Sequence, residues 1–254
     1  MTSGEETAQL AIQHPLRMAW GLAADVFIFF YTLILGSLAT ILTLITRKPS
    51  VVDVLGSVWC KGIVKACGIE IEVRGLEHLD PSRSYVVLSN HLSNFDIWCT
   101  FAAVPLKIRF VAKKELLKIP IFGQALGVSD HIVIDRSKPE QAVEIINRRA
   151  AAQIGDGFCI LFYAEGTRSQ DGKVGPFKKG GTVLALRTGL PIVPMSVSGT
   201  RKFLPKRSVI IRPAGKVLIV IDQPIETKGI PLEARDELTA RVRDIVVRNY
   251  VEDY

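Results

Sequence analysis

The run Asn90-His91-Leu92-Ser93-Asn94-Phe95-Asp96 holds a histidine and an aspartate with four residues between them, just after the apolar stretch Tyr85-Val86-Val87-Leu88. An uncharged imidazole can take a proton from an alcohol when a carboxylate on its other ring nitrogen fixes the tautomer. That arrangement is available if His91 lies on a loop and Asp96 opens the next helix, whose first turn favours a negative charge. The same spacing also suits a plainer arrangement, in which Asp96 caps the helix and His91 is a hydrogen-bonded loop residue. No serine or cysteine stands in a nucleophile-elbow setting. Direct attack by a substrate hydroxyl therefore fits better than a covalent acyl-enzyme.

A second group follows another apolar run: Phe162-Tyr163-Ala164-Glu165-Gly166-Thr167-Arg168-Ser169. Gly166 lets a ligand approach the backbone closely, and Arg168 offers a planar fork of donors for phosphate. Thr167 and Ser169 add hydroxyls. Glu165 is open to two readings, orienting the arginine or binding a free hydroxyl of the substrate, and the whole segment also reads as an exposed polar turn. Arg136 directly follows the apolar Ile132-Val133-Ile134, where ligand-facing loops of open α/β sheets emerge; a surface ion pair with Asp135 or Glu140 is the alternative. Pro176-Phe177-Lys178-Lys179-Gly180-Gly181 precedes a helical stretch, and helix N-termini bind anions. The two lysines serve either a donor's phosphates or only a solvated turn. His14, His78 and His131 lack any motif context and read as structural.

These residues need a scaffold, and the periodicities supply one. Helices are expected over 50–68, closed by Gly68, and over 96–104, ended by Pro105. Further helices are expected over 113–127, broken at Pro120, from a capping box at Ser137 and Glu140 to about Ile154, over 182–188, and over 232–250. Strands are expected at Ile69–Val73, Tyr85–Leu88, Ile108–Ala112, Ile132–Ile134, Phe158–Tyr163, Ile192–Val197, Val209–Ile211 and Val217–Ile221. Alternating strands and helices imply an α/β fold, a mixed central sheet with helices on its faces.

Val26–Ile45 contains 20 consecutive uncharged residues, about the length that crosses a ~30 Å hydrocarbon core as a helix. It is too long for an ordinary signal peptide and is followed by no small-x-small cleavage site. Gly36 and Ser37 leave open a helix that enters the bilayer, bends and returns. Arg47, Lys48, Lys61 and Lys65 follow the segment, so the positive-inside rule puts the main domain on the cytoplasmic side. The expected organisation is a membrane-anchoring segment, 1–49, and one domain, 50–254. The four cysteines form no CxxC pair and no histidine stands at a zinc-ligand offset, so no metal site is expected. A formal charge of +7 over 254 residues favours anionic partners. No recognition-helix, zinc-finger or aromatic-platform pattern accompanies it, which argues against nucleic acid. A base, an anion cradle and an anchor together point to chemistry on a lipid phosphate.

Over roughly residues 70–200 four ordered blocks resemble those of the glycerolipid acyltransferase family: His91 with Asp96, Asp135-Arg136, Glu165-Gly166-Thr167-Arg168, and Pro191-Ile192-Val193-Pro194. Among its members the 1-acylglycerol-3-phosphate acyltransferases are the most similar. The resemblance implies an acyltransferase of phospholipid biosynthesis that works without metal or cofactor. Acyl-CoA or acyl carrier protein would be the co-substrate, lysophosphatidic acid the acceptor and phosphatidic acid the product. His91 and Asp96 would be catalytic. Arg136, Glu165, Gly166, Thr167 and Arg168 would form the acceptor site, with Lys114 facing the phosphate and Pro194 shaping the acyl-proximal wall. The family's third block usually reads Phe-Pro-Glu-Gly-Thr-Arg, and here Tyr163-Ala164 stand in place of Phe-Pro. Loss of the proline frees one φ angle and points to a shifted acceptor, such as a lyso-ornithine lipid without phosphate. A non-catalytic lipid-binding protein is the reading from a different class, and the intact His91/Asp96 pair argues against it.

Overall fold

A computed structural model describes residues 15–152, 157–205, 208 and 210–254. Seven strands form one sheet: β1 (Ile69–Arg74), β2 (Val86–Ser89), β3 (Lys107–Lys113), β4 (Ile132–Ile134), β5 (Phe158–Tyr163), β6 (Ile192–Ser198) and β7 (Gly215–Ile221). Their spatial order is β1-β7-β6-β2-β5-β3-β4. All neighbours are parallel except β6 and β7. Five strands thus point the same way, and the loops after β2, β3, β4, β5 and β6 leave from one edge. β5 reads as an unbroken apolar run and every residue of β6 is buried, because interior strands are covered on both faces. β1 alternates because it is an edge strand, with Glu70, Glu72 and Arg74 exposed.

Helices α1 (Pro15–Thr46), α2 (Ser50–Ala66) and α3 (Phe95–Ala103) lie on one face, where Ile63, Cys67, Phe95 and Cys99 pack on Val87, Leu161, Val193 and Met195. The short helix α4 (Phe122–Gly127) closes this layer. Helices α5 (Pro139–Ala151), α6 (Gly180–Thr188) and α7 (Arg235–Asn249) cover the other face, with Ile146, Leu184 and Val242 on Val86, Leu88, Ile160 and Ile192. The mixed α/β sheet with flanking helices is therefore as expected. One ion pair ties the first layer to the sheet. Arg109 of β3, only 3% exposed in its side chain, holds both oxygens of Asp53 of α2 at 2.5 and 2.9 Å.

Helix α1 is long and apolar enough to cross a membrane by length and composition. It runs unbroken through Gly36 and Ser37, and Thr40 returns its hydroxyl proton to the Gly36 carbonyl at 2.8 Å. The chain reverses only at Arg47–Pro49. From there α2 runs back along α1: the Trp20 indole donates to Ala66 O at 2.9 Å, Tyr31 to Val58 O at 3.0 Å, and Trp59 to Thr32 at 2.9 Å. Small residues allow this closeness. A Cβ on Gly62 would lie 2.5 Å from the Tyr31 ring, and one on Gly21 only 2.2 Å from the backbone oxygen of Ile211. The outer surface stays apolar, with Phe29 and Leu44 well exposed.

Three local expectations fail for identifiable reasons. Residues 113–127 do not form one interrupted helix. β3 continues to Lys113 because Val111–Lys113 pair with β4. A single 3₁₀ turn (Lys114–Lys118) and α4 follow, separated by Pro120 and by Ile121 at φ 64. That strained conformation for a β-branched residue sets Ile121 against Gly36 of α1. Second, Ser137 does not cap α5. Its amide and hydroxyl both donate to Asp135 Oδ1, at 2.9 and 2.6 Å, in an Asx turn, and the helix starts on Pro139, pre-set for that position. The end of the expected helix, 153–154, lies outside the described residues. Third, the expected strand 209–211 is absent among its described residues. Ile211 stays in the core but joins no ladder, its backbone oxygen lying against Gly21, while Arg212 N–H bonds Phe203 O and Ala214 N–H bonds Cys67 O.

The docking of α1 depends on Gly21. Gly21→Val should cost about 2 kcal/mol by overpacking. In detergent this would appear as a Tm lower by about 4–8 °C; an unchanged Tm would mean that α1 is not seated against the 210–214 segment.

Candidate active site

The five co-directional strands deliver the candidate residues to one edge, where ligands bind in open α/β sheets. After Ser89 the chain leaves β2, and buried Asn90 fixes how it leaves. Its side-chain amide donates to Val197 O at 2.9 Å and its oxygen accepts Val197 N–H at 2.8 Å. A side chain thus continues the β2–β6 ladder by one step, and His91 is aimed outward.

His91 Nδ1 lies 2.6 Å from Asp96 Oδ2. Asp96 opens α3 and has no exposed side-chain surface, while His91 keeps 15% of its own. The same Oδ2 accepts Leu92 N–H at 2.6 Å and Ser93 N–H at 2.9 Å, and Oδ1 accepts the Thr200 hydroxyl. With every acceptor position filled, the aspartate has one orientation. The imidazole must carry its proton on Nδ1 and present an unprotonated Nε2. The Tyr163 ring stacks on the imidazole at 4.2 Å between centroids and 20° between planes. This is the geometry of a tautomer-fixed general base.

Glu165 follows neither of its two sequence readings. Oε1 accepts His91 N–H at 2.8 Å and Oε2 accepts Gly175 N–H at 3.0 Å. It is a strut between the loop after β2 and the 170–179 loop, 8% exposed. Burial pushes its carboxyl above the ordinary range, and the two backbone donors hold it partly back. Ser169 N–H closes the same contact on His91 O at 2.8 Å.

The cationic residues sit just outside. Arg136 Nη1 donates to Gly166 O at 2.5 Å, and Gly166 takes the left-handed φ of 72°. Lys178 lies over Gly166: a Cβ there would fall 2.9–3.0 Å from its Cδ, Cε and Nζ atoms. Thr167 and Arg168 complete that turn, the first exposed and the second half-buried. Lys114 bonds Asp135, which holds that carboxylate well below its ordinary pKa together with Ser137. Lys179 points elsewhere, to Asp236 at 2.9 Å. Pro194 is not brought into the site. It lies buried within β6 opposite Leu88, on the α5–α7 side of the sheet, and the pleat that aims Val193 and Met195 at the other layer turns it away. Among the described residues no three His, Cys, Asp or Glu side chains cluster to hold a metal.

Residues 70–198 match the model of the Acyltransferase family. A 1-acyl-sn-glycerol-3-phosphate acyltransferase of Limnanthes alba is 36% identical over 182 residues, covering 72% of this chain and 64% of that protein. The chain belongs to the Acyltransferase family. The human 1-acyl-sn-glycerol-3-phosphate acyltransferase alpha is 32% identical over 176 residues, 69% of this chain and 61–62% of the mammalian proteins of that name. The chain thus spans less than two thirds of the length of these curated relatives. Agreement with a solved structure is broader. The crystal structure of the 1-acyl-sn-glycerophosphate (LPA) acyltransferase from Thermotoga maritima superposes with a TM-score of 0.77 at 27% identity, covering 92% of this chain and 95% of that one.

Within this family member, Ala164 does not loosen the third block. Its N–H donates to Ser89 O at 2.8 Å, a bond proline cannot make, and its carbonyl accepts Lys178 N–H at 2.7 Å. Two hydrogen bonds replace the ring's restraint on φ. The acyltransferase fold also holds a cavity of about 350 Å³ between α1, α2, α3 and α4. Leu35, Trp59, Ile97, Trp98 and Phe122 line it, and Asn94 of the His91 loop borders it. At one wall the His131 ring lies tilted against Phe110, 4.0 Å between centroids, and burial, with Arg109 near, pushes its pKa down to about 3, so it adds no charge.

The contacts of Thr200 and Tyr163 with the pair escaped sequence reading, since nothing local marks a residue that touches it from over 70 positions away. Glu165 gives a test. A glutamine accepts only one of the two N–H groups, so Glu165→Gln should lower kcat of acyl transfer by about 100-fold. Stability should respond to pH as well. The folded carboxyl binds its proton more tightly than the unfolded one, so ionisation costs the fold. The wild type should lose stability relative to the variant as pH rises from 4.5 through the raised folded pKa. Melting curves across pH 4–8 check this, and a constant difference in Tm counts against it.

Proposed function

We propose that the chain moves an acyl group from a thioester donor to the 2-hydroxyl of 1-acylglycerol 3-phosphate, making phosphatidic acid. The observation that carries this reading is the His91–Asp96 pair, one nitrogen locked on a buried carboxylate and the other free, beside cationic side chains and an apolar cavity. His91 Nε2 takes the proton as the hydroxyl oxygen attacks the thioester carbonyl, and Asp96 stabilises the imidazolium that forms. Collapse of the tetrahedral species breaks the C–S bond, and His91 returns its proton to the departing sulfur. Acyl-CoA or acyl carrier protein supplies the thioester. Arg136, Arg168 and Lys114 lie on the rim where the acceptor's phosphate would sit.

The membrane supplies the acceptor and takes up the product, and the exposed apolar surface of α1, continued by Val54, Val58, Leu117 and Ile119, enters it. Arg47, Lys48, Lys61 and Lys65 stay on the cytoplasmic side. Because α1 is docked along the catalytic domain, the apolar layer lies against the walls of the cavity, and an acyl chain reaches it without crossing water.

The decisive experiment supplies labelled acyl-CoA, or acyl carrier protein, with lysophosphatidic acid in mixed micelles. His91→Ala should lose about 10³-fold in kcat while still binding lipid; equal turnover by variant and wild type would remove the base. The cavity reading has its own check. A Cβ on Gly56, which lines the cavity, meets nothing within 4 Å. Gly56→Leu should therefore lower kcat/KM for long-chain donors by about tenfold and spare short ones. Equal loss at all chain lengths would assign the cavity no role in holding the acyl chain.

A further inference from the structure

We propose that Lys178 is the specificity-determining residue for the acceptor's phosphate, forming with Arg136 a two-cation seat for a phosphate monoester above Gly166. The inference rests on the acyl-transfer reading and adds a residue to it. Lys178 stands 12 positions beyond Gly166 in sequence, yet its Cδ, Cε and Nζ occupy the space where any other residue's Cβ would be, at 3.0, 2.9 and 3.0 Å from that point. Its own N–H is tied to Ala164 O at 2.7 Å. The lysine stem is thereby folded flat over the turn, and its ammonium is kept at the turn. Arg136 reaches the same residue, its Nη1 donating to Gly166 O at 2.5 Å. Since one residue's Cα and carbonyl oxygen are only ~2.4 Å apart, the two cations converge on a single glycine.

Neighbouring cations are differently placed. Lys114 is paired with Asp135, Lys179 with Asp236 and Arg109 with Asp53. Lys178 and Arg136 form no ion pair among those of the described residues, and the carboxylate in the same turn, Glu165, is turned inward to two backbone N–H groups. Two like charges held together with no directly paired counter-ion, Glu115 acting on Arg136 only from beyond ion-pair distance, suit an anion of more than one charge. A phosphate monoester carries about −1.5 to −2 at neutral pH and accepts from both at once. Arg136 alone would leave it half neutralised, and a zwitterionic headgroup would need fewer cations.

The nucleotide phosphates of a donor share this chemistry, but connectivity favours the acceptor. In a glycerol 3-phosphate only C2, C3 and one ester oxygen separate the reacting hydroxyl oxygen from phosphorus. The seat must then lie close to the base, and Gly166 is next to the residue that bonds His91 N–H. In coenzyme A the whole pantetheine arm separates thioester from phosphates.

The test measures KM for lysophosphatidic acid and for acyl-CoA in mixed micelles with wild type, Lys178→Gln, Lys178→Arg and, as control, Lys179→Gln. Lys178→Gln should raise the acceptor KM about 10- to 100-fold with a much smaller change in kcat and none in the donor KM. Lys178→Arg should recover most of the loss, and Lys179→Gln should match the wild type. Glycerol 3-phosphate should compete with the acceptor in the wild type and only weakly in Lys178→Gln. An unchanged acceptor KM overturns the proposal, and so does a rise confined to the donor KM, which would hand Lys178 to the nucleotide. If the wild type turns over no lysophosphatidic acid, the acyl-transfer reading fails instead. Equilibrium binding of lysophosphatidic acid to wild type and Lys178→Gln then decides the seat alone: weaker binding in the variant supports it, and equal binding sinks it.

Discussion

Asp96 is buried without any contact with solvent, and the arrangement around it follows from that constraint. A carboxylate out of water must have its acceptor positions filled. Here the donors are Leu92 N–H, Ser93 N–H, the Thr200 hydroxyl and the His91 imidazole. They come from two local structures: His91, Leu92 and Ser93 from the loop after β2, and Thr200 from the turn after β6. Satisfying one buried charge therefore fixes two loops relative to α3. The imidazole is left with a single tautomer, which is what a proton acceptor for an alcohol requires.

Glu165 repeats the device one shell further out. Its two oxygens join the backbone at His91 to the backbone at Gly175, and α7 secures the far end. Arg243 donates to Gly175 O at 2.9 Å and to Val174 O at 3.0 Å, and Tyr250 donates to Gly172 O at 2.6 Å. The site thus leans on a C-terminal helix that lies beyond the stretch matching the family model. Arg136 and Lys178 stay outside ion pairs among the described residues because Asp96 and Glu165 are bonded to other donors.

The apolar layer has a comparable economy. α1 could have been a detached anchor, but Gly21, Gly36 and Gly62 let it lie against α2, the 210–214 segment and Ile121. The cavity exists because α1 and α2 form one of its walls and α3, which begins at the Asp96 turn, forms another. The long apolar helix, the cavity and the His91–Asp96 pair are neighbours through one packing arrangement.

Much was legible in the residues alone. Strand runs such as Phe158–Tyr163, the helix stop at Gly68, the α/β class and the His91–Asp96 neighbourhood follow from periodicity, backbone preference and short spacing, all of which are local; Arg136 was joined to Gly166 only through the family resemblance. What failed or was missed depended on distant partners. β4 pulled Lys113 into a strand; Asp135 took Ser137 away from its capping role; Ile211 met α1 and joined no ladder; the pleat of β6 turned Pro194 to the wrong face. Glu165 looked like a ligand residue because sequence shows a carboxylate beside an arginine but not the two backbone N–H groups that claim it. The chain by itself determined which groups are present and which short segments carry them. Only the tertiary structure decided which charges are consumed in holding the site and which are left for a ligand, because a hydrogen bond between residues 74 or 104 positions apart leaves no trace in local sequence.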